Sequence, residues 1–268
     1  MVDALSGGRL LFGVGRGYQP PEFHGFGVSQ DKSSEMFVES LEIIKRALSG
    51  EKFAYDGDFW KIKEPIEIFP KPLQTPHPPL YMASVSRRSL DVAARFNMSL
   101  LRAPQFSNLE AVAEAFDEYA GLLHEYGFDP AALDQPVSLR VHVTPTDEEA
   151  KAETEHALWF YRLLGTLVPG APGRETVPKG YEKYPLNPDV LARLTLEDVW
   201  ERGTAFGSPE RVIEIMKMYM DKLGARHFIV QMRIGGLEHD KVMRSMDLFT
   251  REVMPALREE ENRLLRAS

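Results

Sequence analysis

The feature that most constrains this chain is an alternation of short apolar runs with helix-period segments. Apolar runs that read as strands lie near residues 9, 80, 98, 137 and 227, and each is followed by a loop and then a helical stretch. Strands that alternate with helices specify a parallel sheet, because each return connection has to cross a face of that sheet. The helical stripes are plain in the residues. Phe37, Leu41, Ile44 and Leu48 share one face of a helix expected over Asp31 to Leu48. Leu109, Val112, Phe116, Tyr119 and Leu123 do the same after a Ser107-x-x-Glu110 capping-box signal. A helix is expected from Asp147 to Leu164, another after Ser208-Pro209, and a last one from Asp240 to Glu260.

Two excursions interrupt the alternation. Lys52 to Pro79 reads as a hairpin turning at Asp56-Gly57, and the six prolines from Pro65 to Pro79 forbid a helix after it. Gly165 to Gly203 is rich in proline and glycine, with Tyr181 and Tyr184 among them. A loop of that length reads as a lid or a disordered segment, holding one short helix from Leu191 to Trp200. Five strands are too few for a closed eight-stranded barrel, although 268 residues would accommodate one. The excursions account for the difference.

The chemistry is concentrated in Leu5 to Tyr18, Leu-Ser-Gly-Gly-Arg-Leu-Leu-Phe-Gly-Val-Gly-Arg-Gly-Tyr. A helix end stops at Gly7-Gly8, a strand runs from Arg9 to Val14, and the strand opens into Gly15-Arg16-Gly17-Tyr18. Gly-rich loops at the carboxyl ends of parallel strands are where α/β proteins place ligands. Glycine lets backbone amides approach an anion, and an arginine between two glycines can fork onto it. The spacing is not the dinucleotide fingerprint, and a tight turn with a solvated arginine remains an alternative. The segment from Gln19 to Gly27 is expected to be a loop. A second strand, Leu80 to Ser84, opens through Val85-Ser86-Arg87-Arg88-Ser89 into a helix. Ser86 serves there as an N-cap, an anion ligand, or both.

The remaining residues exclude more than they assign. The absence of cysteine removes disulfides, thiolate metal sites and cysteine nucleophiles. The seven histidines form no paired metal motif, and His24, in the first ligand-side loop, is the one to watch. A net charge of −8 disfavours nucleic acid or an anionic membrane as the main partner. No apolar run approaches a membrane span, and the first residues carry no signal-peptide features, so a soluble cytoplasmic protein is expected.

Three blocks resemble the bacterial luciferase-like flavin-dependent monooxygenases. They are Ser6 to Tyr18 with Phe23 to Gly27, Pro78 to Ala94, and Phe206 to Val212 continuing to Met254-Pro-Ala-Leu257. The resemblance implies a single domain over residues 1–268 with the fold of a partial TIM (β/α)8 barrel, lacking about the first three βα units. It implies use of reduced FMN, delivered by a separate flavin reductase, together with O2, to oxygenate a small organic substrate. It implies that Arg16 and Ser86 hold the flavin phosphate, with Gly17 and Val85 beside them and Tyr18 against the flavin. At Val85 this chain departs from the acidic residue of the luciferase pattern. A homodimer is implied too. No catalytic residue is assigned, because the histidine such enzymes often carry lies in the absent part. Two alternatives stand: an oxidoreductase of the same superfamily using F420, and a non-catalytic remnant or partner subunit.

Overall fold

The computed structural model describes residues 1–83, 86–104, 109–173, 176–182 and 187–267. In chain order it runs α1 (Val2–Leu5), β1 (Phe12–Val14), α2 (Pro20–Gly25), α3 (Ser33–Leu48), β2 (Phe53–Asp56), β3 (Lys61–Ile66), β4 (Leu80–Ala83), α4 (Arg87–Arg95), β5 (Ser99–Leu101), α5 (Leu109–Glu125) and β6 (Val137–Val143). It continues through α6 (Asp147–Thr154), α7 (Ala157–Leu167), α8 (Pro188–Arg193), α9 (Leu196–Glu201), β7 (Thr204–Gly207), α10 (Pro209–Leu223), β8 (Phe228–Gln231), α11 (His239–Leu248), a π-helical turn (Phe249–Val253) and α12 (Met254–Ala267).

The expected parallel pairing is present. β1, β4 and β5 form one parallel sheet in that order, with Val14 opposite Met82 and Met82 opposite Leu100. In a second parallel sheet β6 is flanked by β7 and β8. An isolated bridge between Arg102 and Val137 joins the two, and the Ser138 amide donates to the Arg102 carbonyl at 2.8 Å. The described strands do not close into a barrel. Two apolar layers hold the sheets to their helices. Leu139, Val141 and Val143 pack with Val212, Met216 and Val253, while Leu80, Met82 and Leu100 pack with Leu90, Ala93, Tyr119 and Leu123. Burying each such side chain contributes on the order of 1.5–3 kcal/mol.

Several expectations change. Gln19 to Gly27 is not a plain loop: Pro20–Gly25 is helical, because Pro20 stands at the first helical position, where its fixed φ suits the turn and its missing N–H costs nothing. The helix expected from Asp147 to Leu164 divides into α6 and α7 about Glu155 and His156, and α7 runs past Gly165. The short helix expected from Leu191 to Trp200 is two, α8 and α9. Thr195 starts the second by bonding the Asp198 amide, and Asp198 bonds back to the Thr195 amide. Strand β7 was not expected at all. Its four residues, Thr-Ala-Phe-Gly, are too few to show a period, and register with β6 makes them a strand. Ser107 of the capping-box signal lies outside the described residues.

The hairpin forms as expected, β2 pairing antiparallel with β3. Its turn is anchored by α3: the Glu39 carboxylate accepts from the amides of Asp58 at 2.8 Å, Phe59 at 3.1 Å and Trp60 at 3.2 Å.

Candidate functional site

Because β1 and β4 are parallel neighbours, the chain leaves both at the same end of the sheet. Arg16 follows β1 and Ser86 follows β4, so the two loop mouths lie side by side. Gly17 has φ +82, and a Cβ there would lie 3.6 Å from the Phe23 ring, so this bend is one that glycine makes without strain.

Arg16 is half-buried. Its Nη1 donates to the Ser34 hydroxyl, and its Nη2 donates to the Gly180 carbonyl at 3.4 Å. The guanidinium carbon lies 4.0 Å from the centroid of the Tyr181 ring. Tyr181 is buried, and its hydroxyl donates to the Gly17 carbonyl at 2.9 Å. Beside it, the Lys179 amide donates to the Asp31 carboxylate at 2.8 Å. The segment between α7 and α8 therefore returns across the sequence and seats on the β1 loop.

A second cation faces the same point. Arg88, in the first turn of α4, pairs with Glu35 at 3.4 Å. A Cβ placed on Gly180 would lie 3.4 Å from Nη1 of Arg16 and 3.4 Å from Nη1 of Arg88. Glycine at 180 thus leaves the room in which two guanidinium groups converge. The Glu35 carboxyl is held below its usual range chiefly by its own backbone amide at the start of α3, with the charges of Arg88 and Lys179 adding to the effect against partial burial.

The other anticipated residues fall as follows. Ser86 is the N-cap of α4: its hydroxyl accepts from the Ser89 amide at 3.3 Å, and the Ser89 hydroxyl accepts from the Ser86 amide at 3.1 Å. Tyr18 packs against the cluster of α7, α8 and α9, and its carbonyl accepts from Gln30 at 3.0 Å. Val85 lies outside the described residues. His24 is exposed in the last turn of α2 and is not part of the Arg16 cluster.

Ser34, Arg88 and Tyr181 were not foreseen. The Arg87-Arg88 pair directly after Ser86 was a signal for the second cation. Nothing local announces Ser34 or Tyr181, which reach this place from 18 and 164 residues away along the chain, measured from Arg16 and Gly17.

A second polar grouping lies on β6. Leu139, Val141 and Val143 face the helices, so the alternate residues Ser138, Arg140 and His142 project to the opposite face, where they are also buried. Arg140 lies 4.8 Å and 4.6 Å from the ring centroids of Phe160 and Tyr161, and its Nη1 has no hydrogen-bond partner among the described residues. His142 Nε2 lies 2.8 Å from Glu153 Oε2, and Arg244 donates to the other oxygen at 3.0 Å. Burial pushes the His142 imidazole below its usual pKa, against the pull of Glu153. The polar period-2 stripe in Val137-Ser-Leu-Arg-Val-His-Val143 was the available signal. Among the described residues no cluster of His, Cys, Asp and Glu could hold a metal ion, and no helix is long and apolar enough to cross a membrane.

Parallel strands with loops gathered at their carboxyl ends define an α/β enzyme-type scaffold. The chain belongs to the luciferase-like monooxygenase family, whose family model matches residues 1–227. It is 27% identical to the protein y4vJ of Sinorhizobium fredii over 260 residues, covering 96% of this chain and 71% of that one. It is 26% identical over 272 residues to the FMNH2-dependent dimethylsulfone monooxygenase of Pseudomonas putida, covering 97% of this chain and 69% of the relative. Among solved structures, the monooxygenase RslO1 from Streptomyces bottropensis superposes with a TM-score of 0.77 at 25% identity, over 95% of this chain and 71% of that one. An F420-dependent secondary alcohol dehydrogenase shares the fold, with a TM-score of 0.70 at 19% identity over 95% of this chain and 72% of that one.

Proposed function

We propose that the protein is an FMN-dependent monooxygenase whose β1 and β4 loops hold the phosphate of reduced flavin. The observation that carries this reading is the convergence of Arg16 and Arg88 beside the start of α4. The donor set fits a phosphate: guanidinium groups fork onto phosphate oxygens, and a helix start adds amide donors and a favourable dipole. The similarity to an FMNH2-dependent relative along nearly the whole chain supports the choice of FMN.

On this reading Arg16 is the principal anchor, with Gly17 providing the bend that presents it. Ser86 holds the mouth of α4 in shape through its cap, and Tyr18 contributes its ring to the wall beside the flavin. Reduced FMN, when bound, supplies the electrons with which O2 is activated for transfer of one oxygen atom to a small organic substrate. A separate flavin reductase would supply it. The segment expected as a lid, Gly165 to Gly203, is given the role of keeping water from the site, and within its described part the Tyr181 contact to Gly17 supports this role. The Gly180 carbonyl contact to Arg16, at the long limit of a hydrogen bond, is weak enough for a phosphate oxygen to replace it.

The test is binding of FMN against riboflavin, which lacks the phosphate. FMN is expected to bind more tightly, and the preference is expected to shrink in Arg16→Ala. Equal affinity for the two flavins in the unmodified protein overturns the assignment.

F420 remains the second cofactor reading, favoured by the fold shared with an F420-dependent enzyme. Difference spectra of the protein titrated with each cofactor separate the two.

A further inference from the structure

We propose that the polar face of β6 is a substrate subsite for an amide-type group: Arg140 donates to its oxygen, His142 accepts from its N–H, and Glu153 holds His142 in the tautomer that accepts. The inference deepens the monooxygenase reading by naming a substrate class, and its first measurement needs no cofactor.

Two buried groups on that face have hydrogen-bonding capacity left over. Arg140 is 7% exposed and His142 is 0% exposed. Nη1 of Arg140 and Nδ1 of His142 have no hydrogen-bond partner among the described residues. A buried group left so costs about 1–3 kcal/mol, and here two of them stand on one face of one strand. They differ in kind. A guanidinium can only donate. The role of Nδ1 is set by the other side of the ring. His142 Nε2 lies 2.8 Å from Glu153 Oε2, and Arg244 donates to the second Glu153 oxygen at 3.0 Å. A carboxylate held in this way only accepts, so Nε2 carries the ring proton. Burial opposes a second proton on the ring. Nδ1 is therefore a bare acceptor.

The face thus offers one donor and one acceptor. Alternate residues of a strand lie about 6.5 Å apart along it, so a group with its acceptor and donor on different atoms spans the pair better than a single atom does. A carboxylate would set a lone pair against the lone pair of Nδ1. An amide supplies a carbonyl oxygen and an N–H together. The Phe160 and Tyr161 rings beside Arg140 suit a flat apolar body on that amide. Both rings belong to the apolar cluster that Tyr18 joins, which links this face to the wall proposed for the flavin.

The experiment uses the full chain carrying isotope-labelled histidine, read by nitrogen NMR. His142→Asn identifies the His142 signals among those of the seven histidines. The charged and titratable groups facing the ring are Glu153, His156 and Arg244, with Arg140 two residues away on the strand. At about pH 7.5 the expected state is a proton on Nε2 and none on Nδ1. A proton on Nδ1 overturns the proposal. The protein is then titrated with benzamide, N,N-dimethylbenzamide, which lacks the N–H, and benzoate. Benzamide is expected to move the Nδ1 signal and to bind about tenfold more tightly than the dimethyl compound, the range of one buried hydrogen bond. Arg140→Met is expected to weaken benzamide about tenfold and to leave the tautomer unchanged. In Glu153→Gln, Arg244 retains the amide oxygen and the amide nitrogen faces Nε2. The ring proton is then expected on Nδ1, with the preference for benzamide lost. A preference lost with the proton still on Nε2 overturns the positioning role of Glu153. Equal binding of the two amides, tighter binding of benzoate, or an Nδ1 signal that no probe moves overturns the subsite, the last marking buried water as the partner. None of these results alters the comparison of FMN with riboflavin, so failure here is distinct from failure of the flavin reading.

Discussion

The Arg16 guanidinium sits over the Tyr181 ring, 4.0 Å from its centroid, although 165 positions separate them in the chain. An arginine over an aromatic face gains about 0.5–2 kcal/mol, more as water is excluded. Here the contact ties the β1 loop to the segment between α7 and α8, and the Tyr181 hydroxyl on the Gly17 carbonyl reinforces it.

Arg16→Ala is expected to weaken FMN binding by about 1.5–3 kcal/mol, the range of hydrogen bonds to charged groups. Isothermal titration with FMN measures it. Unchanged affinity removes Arg16 from the phosphate site.

Tyr181→Ala is expected to release the segment between α7 and α8. Limited trypsin digestion should then cleave faster after Lys179, which is exposed and tied down by its amide bond to Asp31. Proteolysis follows local opening. Cleavage at the original rate would show that Tyr181 does not hold the segment.

His142 makes stability depend on pH. The ordinary imidazole pKa is about 6.5, and burial depresses it in the folded protein. As pH falls below about 6.5 the unfolded chain takes up a proton that the folded chain refuses. The unfolded state then binds more protons, and stability is lost down to the depressed folded value. The gap in melting temperature between the unmodified protein and His142→Asn should therefore narrow from about pH 7.5 to about pH 5.5. A constant or widening gap would mean that the buried ring is already charged.

Arg140→Met tests the β6 stripe. Arg140 is buried against Phe160 and Tyr161 and forms no ion pair among the described residues. Burying a guanidinium with no carboxylate beside it costs free energy that its contacts with the two rings offset only in part. The melting temperature is expected to hold or rise. A fall equivalent to more than about 2 kcal/mol would identify Arg140 as a packing element.

The residues themselves announced the parallel architecture, since helix-period stripes and short apolar runs are local patterns. They announced the β1 loop and the α4 mouth as well: Gly15-Arg16-Gly17 and the Ser86 cap are each written within a few positions. Local pattern could not show that Pro20 starts a helix and not a loop, because proline punctuates both. Nor could it reveal β7, whose four residues become a strand by pairing with β6.

What the sequence determined alone is the order of strands and helices and the chemistry offered at two loop mouths. Only the tertiary structure decided which side chains share those mouths. Parallel pairing of β1 with β4 sets Arg16 near α4, and the return of a distant segment sets Gly180 and Tyr181 upon it. Such contacts depend on chain closure over more than a hundred residues. Their positions are therefore fixed by packing and register, which no short window of residues contains.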